Sequence, residues 1–85
     1  MRGNQMKTLV EVSLATFGTT LRNLAVGSKV LCVNAAGNIL VSTNLDSKER
    51  RVFSFITLMP GSVVPENYEF IGIKDGKTLV FMEVV

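Results

Sequence analysis

The sequence predicts an all-β fold: about seven short antiparallel strands in a small sandwich or barrel. Three observations carry that prediction. Apolar and polar residues alternate with a period of two through most of the chain. Turn signals recur between the alternating runs, above all Ala36-Gly37 and Asp75-Gly76. No segment carries a convincing helical stripe, and Ala15 to Leu24 is the one stretch where a short helical turn could hide.

The first strand is expected over Leu9 to Leu14, with Val10, Val12 and Leu14 on one face and Leu9, Glu11 and Ser13 on the other. Thr16 to Thr19 breaks the pattern. Thr20 to Leu24 reads as a short second strand, with Leu21 and Asn23 facing opposite to Arg22 and Leu24. Val26-Gly27-Ser28 is a turn. Lys29 to Ala35 and Asn38 to Asn44 then form a hairpin about Ala36-Gly37. Leu45 to Glu49 is a charged loop. Arg50 to Leu58 alternates again, Val52, Ser54 and Ile56 against Arg51, Phe53, Phe55 and Thr57.

The segment Thr57 to Tyr68 contains both prolines, and Pro65 argues against a central strand there. Tyr68 to Lys74 and Lys77 to Val85 are the last two strands, joined at Asp75-Gly76, the strongest short-range hairpin signal in the chain. The final strand is apolar on both faces, which calls for cover on both sides by another sheet or another subunit.

Eighty-five residues suffice for one small domain, expected over 7–85, with residues 1–6 as a polar, frayed arm and Met6 as an alternative start. Nearly half the residues are hydrophobic, the balance of a globular chain rather than a disordered one. So apolar a small domain gains from self-association, and a homo-oligomer is expected.

The net charge of +2 comes from scattered basic residues with acids beside several of them, a solvated mixed surface that argues against nucleic acid as partner. No apolar run approaches the length of a membrane span, and the N-terminal residues lack a signal peptide's apolar core. Cys32 is the single cysteine; its apolar strand predicts a buried, structural thiol and fits a reducing cytoplasm.

Absent residue types bear on catalysis. The chain has no histidine, which removes the commonest general base and metal ligand. One cysteine excludes zinc fingers and redox pairs, and no phosphate-cradling glycine loop joins a strand to a helix. Glu66 and Glu69 are the closest acidic pair, and they flank a strand entrance where solvated carboxylates are ordinary. No enzyme activity, cofactor or metal is expected.

Three features remain as binding candidates. Arg50 and Arg51 lead into Phe53 and Phe55, a pattern suited to a stacked base or a phosphate, although aromatics in strands are usually core. The Met59 to Asn67 loop carries Met59, Val63 and Val64, more apolar side chains than a solvated connector needs, so it either packs down on the barrel mouth or makes a subunit contact. The final two-sided strand is the third. The residues expected to hold a ligand or partner are Arg50, Arg51, Ser54, Thr57, Met59, Ser62 and Asn67, with Arg50, Arg51, Ser54, Thr57 and Asn67 surrounding a small anionic nucleotide if that is the ligand.

Met6-Lys7, Ala25-Val26-Gly27-Ser28, Gly37-Asn38, Arg50-Arg51-Val52, Pro60 to Pro65, Phe70-Ile71-Gly72-Ile73 and Leu79 to Val84 follow one another in an order that resembles a family of small all-β proteins of unknown function, encoded largely by tailed bacteriophages and prophages. The chain departs from that pattern at Ala25, where the family has a turn proline, at Met82, where it has histidine, and in lacking the hairpin tryptophan. The resemblance implies phage origin, an all-β fold and no assigned activity, and it carries over no site residues. The resulting expectation is a non-enzymatic phage accessory protein of the host bacterial cytoplasm. It would oligomerise and act in counter-defence by binding a host protein or sequestering a nucleotide signal. The alternatives are a structural or assembly protein of the phage particle, or a weak nucleic-acid-binding module.

Overall fold

A computed structural model describes residues 7–84; the expectation of an N-terminal arm over residues 1–6 lies outside the described residues. Over the described residues the chain is an all-β domain of seven antiparallel strands in two sheets. In chain order these are β1 (Thr8–Val12), β2 (Gly18–Ala25), β3 (Lys29–Val33), β4 (Ile39–Thr43), β5 (Arg50–Leu58), β6 (Tyr68–Lys74) and β7 (Thr78–Glu83). One sheet has the order β1-β4-β3 and the other β2-β5-β7-β6. The smallest extent of the molecule is 16 Å, the thickness of two sheets stacked about 10 Å apart.

Alternation decides which side chains fill the space between the sheets. Val10 and Val12 of β1, Ile39 and Val41 of β4, Leu24 of β2, Phe53 and Phe55 of β5 and Val80 of β7 meet there, with Val30, Val33, Ile71 and Met82 at the margin. These are the inward parities of their strands, and β-branched and aromatic residues suit a pleated, packed surface. The expected division of β1 holds: Val10, Val12 and Leu14 pack inward while Leu9 and Glu11 are exposed. β2 is longer than the sequence suggests, pairing with β5 without interruption from Gly18↔Thr57 to Ala25↔Arg50. The Ala15 to Leu24 stretch is thus loop and strand, with no helical turn.

The turns are built from local side-chain chemistry. Asp75 and Gly76 both take positive φ, 55° and 73°, as the central residues of a mirror-image β-turn closed by Lys77 N–H donating to the Lys74 carbonyl at 3.2 Å. The β3–β4 hairpin is wider than the two-residue turn predicted for it. Asn34 Oδ1 accepts from the backbone N–H groups of Ala36 and Asn38, both at 3.0 Å, and Asn34 N–H donates to the Asn38 carbonyl, closing three residues into the loop.

Ser28 Oγ donates to the Ala25 carbonyl at 2.7 Å and lies 2.6 Å from Thr43 Oγ1. With its one hydrogen committed, Ser28 must accept from Thr43, so the buried Thr43 hydroxyl of β4 is satisfied by the β2–β3 turn.

Glu11 clamps the hairpin loop from outside. Its Oε2 accepts from Asn38 Nδ2 at 2.8 Å and from Asn34 Nδ2 at 2.9 Å. These two bonds, Asn38's first, hold the carboxyl below its ordinary value. A carboxylate depressed in the folded state adds stability that is present above its unfolded-chain value and is lost as pH falls through the lower folded value. Acid titration followed by NMR is therefore expected to move the Asn34 and Asn38 side-chain amide resonances together with the Glu11 carboxyl. Glu11→Gln should abolish that coupled movement. The stability change is expected to be small, because the group is solvent-exposed.

Candidate functional site

Because β5 and β6 both run antiparallel to β7, they are parallel to each other, and the Met59 to Asn67 connection must travel the length of β7 to join them. This accounts for its length without assigning it a role. A turn opens it, with Ser62 N–H donating to the Met59 carbonyl at 3.1 Å, and a backbone bond from Val84 N–H to the Asn67 carbonyl closes it. The alternative of packing down does not hold for its valines: Val63 is 88 % and Val64 43 % exposed.

The face of the four-stranded sheet turned away from the core is the largest departure from ordinary strand patterning. The ladders place Thr19, Ile56, Phe81 and Phe70 in one row across all four strands. Leu58, Leu79 and Ile73 form the next row. Phe81 is nearly buried between its neighbours, with Phe70 edge-on at 5.7 Å, whereas Phe70 and Ile73 are about half exposed. Leu21 of β2 and Val52 of β5 extend the same face and are also open to solvent. A third row carries polar groups: Ser54 Oγ and Tyr68 Oη are hydrogen-bonded at 2.8 Å, and Ser54 is buried. Antiparallel sheets that face water on one side normally carry polar residues there. This sheet carries apolar rows on both.

The seven residues expected to form the site divide between places. Arg50 and Arg51 begin β5 and Thr57 nearly ends it, about 23 Å away at strand spacing. Arg50 is exposed, and its Nη2 donates to the Asn23 carbonyl at 3.3 Å. Arg51 faces inward, its guanidinium 3.9 Å from the Phe53 ring centroid, a cation–π contact at the margin of the core. Phe53 and Phe55 are themselves core. Ser54 lies on the opposite face and bonds Tyr68.

Thr57 is buried, its hydroxyl within 3.3–3.4 Å of the Ala15, Thr16 and Gly18 carbonyls, so it fastens the β1–β2 loop to β5. Met59, Ser62 and Asn67 are exposed along the crossing loop, and Met59 Sδ lies 3.9 Å from the Thr78 hydroxyl. The polar members expected around a nucleotide therefore do not converge on one cavity.

Cys32 corrects the expectation of a buried thiol. β3 bulges between Val30 and Cys32, and the register places Cys32 beside Leu40 on the outer face of the three-stranded sheet, exposed. An apolar run gives no hint of such a slip of phase. The outer apolar face of the larger sheet is hidden in the sequence for a related reason: β5, β6 and β7 are apolar at both parities, and only strand order shows which parity is left uncovered.

No family model, curated protein or solved structure matches the chain.

Proposed function

We propose that the chain is a non-enzymatic accessory protein of bacteriophage origin that self-associates and engages a host protein through the outer face of its four-stranded sheet. The observation that supports this reading is the exposure of Phe70 and Ile73 on an ordered strand next to the half-buried Ile56, Leu58 and Leu79, with Leu21 beside Ser54 and Val52 beyond it exposed on the same face. Contiguous apolar surface rimmed by polar groups marks protein contacts more often than solvated ones. A protein partner suits this surface better than a nucleotide does, since the arginines lie at one end of β5 and the remaining polar groups elsewhere. Counter-defence is the role in which such a contact would serve a phage, by blocking a host component.

The test is native mass spectrometry on the tagged protein recovered from its bacterial host, beside a Val52→Asp/Phe70→Asp variant verified as folded by circular dichroism. The expected result is a discrete complex with one host polypeptide that disappears in the variant and survives Val63→Ser in the crossing loop. Added mass of a few hundred daltons in place of a polypeptide would replace the protein partner with a small ligand. Recovery only with mature particles would make the chain a structural component. A bare chain in both samples would overturn the reading.

A further inference from the structure

Among the described residues, β2 has β5 on one side and no strand on the other. Its free edge is eight residues long, contains no proline or lysine, and runs without a bulge. Edges of this kind are normally shortened, bulged or charged, because their unpaired N–H and C=O groups recruit further strands. The opposite border of the sandwich is closed by β3 lying against β6. β2 is therefore the longest strand edge without a partner among the described residues; Arg22 and the Arg50 Nη2 bond to the Asn23 carbonyl are the groups a pairing strand must accommodate.

We infer that β2 pairs antiparallel with β2 of a second copy across a two-fold axis, joining two four-stranded sheets into one of eight strands. This deepens the self-association in the proposed function and names its interface.

The register follows from the sequence of the strand. Residues opposite one another in an antiparallel pair share a face, so a two-fold axis through the sheet must place some residue opposite itself. Centring on Arg22 sets two guanidinium groups directly opposite, which is unfavourable. Centring on Thr20 overlaps only residues 18 to 22. Centring on Leu21 overlaps residues 18 to 24, sets Leu21 against Leu21, Thr20 against Arg22 and Thr19 against Asn23, and opposes no like charges.

Arg22 stands on the core-side parity of an edge strand, a placement that often guards an edge; in this register it meets a hydroxyl instead of its own copy. Leu21 is 65 % exposed in the single chain, and the pairing covers it with its twin. The outer faces of the two sheets would then join through the Leu21 pair, with Thr19 and Asn23 as its polar neighbours.

Cysteine cross-linking reads the register directly. In a Cys32→Ser background, which removes the exposed native thiol, Leu21→Cys is expected to form a covalent dimer under mild oxidation. Asn23→Cys alone is expected to stay monomeric on a denaturing gel, while Asn23→Cys mixed with Thr19→Cys cross-links. Without cross-linking, Leu21→Lys should raise the dimer dissociation constant about tenfold or more in analytical ultracentrifugation.

A chain that sediments as a monomer at tens of micromolar would overturn the inference. So would a dimer that survives Leu21→Lys and cross-links through Asn23→Cys alone. The outcomes separate from those of the proposed function. Val52→Asp/Phe70→Asp should lose the host partner and keep the dimer, whereas a dimer formed elsewhere that still binds its partner would sink the β2 register alone.

Discussion

Replacing Phe55 with alanine is expected to cost the domain about 3–5 kcal/mol. Phe55 is fully buried at the middle of β5, with its ring in the cluster formed by Val12, Leu24, Ile39, Val41, Phe53 and Val80. Those neighbours come from both sheets, so the cavity would open in the one layer that holds the sheets together. Strand backbones fixed by their ladders cannot collapse far to fill it, which places the cost toward the upper part of that range. A chain of this length has roughly 4–13 kcal/mol of stability to lose.

Val52→Ala on the same strand is the control. Val52 is 53 % exposed on the other face, and its truncation should stay within about 0.5 kcal/mol in the free chain. Urea unfolding of the three proteins decides the matter: a large drop in midpoint for Phe55→Ala and almost none for Val52→Ala. Similar midpoints for the two variants would mean that the space between the sheets is not the principal core.

The strands were legible because their signal is local. Arg50 to Leu58 and Tyr68 to Lys74 coincide with β5 and β6 residue for residue: the first is an alternating run, and both are bounded by turn-forming or charged segments. Asp75-Gly76 was legible because few residues tolerate positive φ in succession. The β3–β4 loop was less so, because its organiser is the side chain of Asn34, outside the Ala36-Gly37 pair that marks the turn. Strand order was not legible at all. Nothing in the sequence of β7 says that it inserts between β5 and β6, and that insertion is what turns the 59–67 segment into a crossing connection.

The candidate site suffered from the same missing layer of information. Ser54 and Thr57 are polar residues in an apolar strand, and the sequence reads such residues as ligand contacts as readily as internal ones. The structure engages both internally, Ser54 with Tyr68 and Thr57 with the Ala15 to Gly18 backbone. A buried threonine hydroxyl commonly finds its partner on a backbone carbonyl, and here that depends on a loop that meets β5 only in the fold. Conversely, Leu21, Phe70 and Ile73 looked like ordinary strand residues. They become candidates only when the sheet is assembled and one of its faces is found uncovered.

Gly72→Ala is the second large effect expected, and it should be repairable. Gly72 follows the bulge at Ile71, pairs with Val80 and faces inward, where β6 lies against β3. An alanine Cβ there would stand 2.6 Å from Val33 Cγ2 and 3.1 Å from Val33 Cβ. The conflict is steric, since Gly72 is not among the residues with positive φ. Val33 is β-branched and held in a strand, so its methyl cannot swing aside cheaply, and the two strands must part instead. Overpacking of this kind costs about 1–3 kcal/mol.

Val33→Ala alone should also destabilise, by loss of buried methyl groups. The double variant, however, removes the methyl that the new Cβ would strike. It should therefore be clearly more stable than the sum of the two single effects predicts, with a coupling of about 1 kcal/mol or more in a urea double-mutant cycle. Strict additivity would mean that β3 and β6 do not approach each other at Gly72, and the sandwich would then have a second open border in place of the closed one.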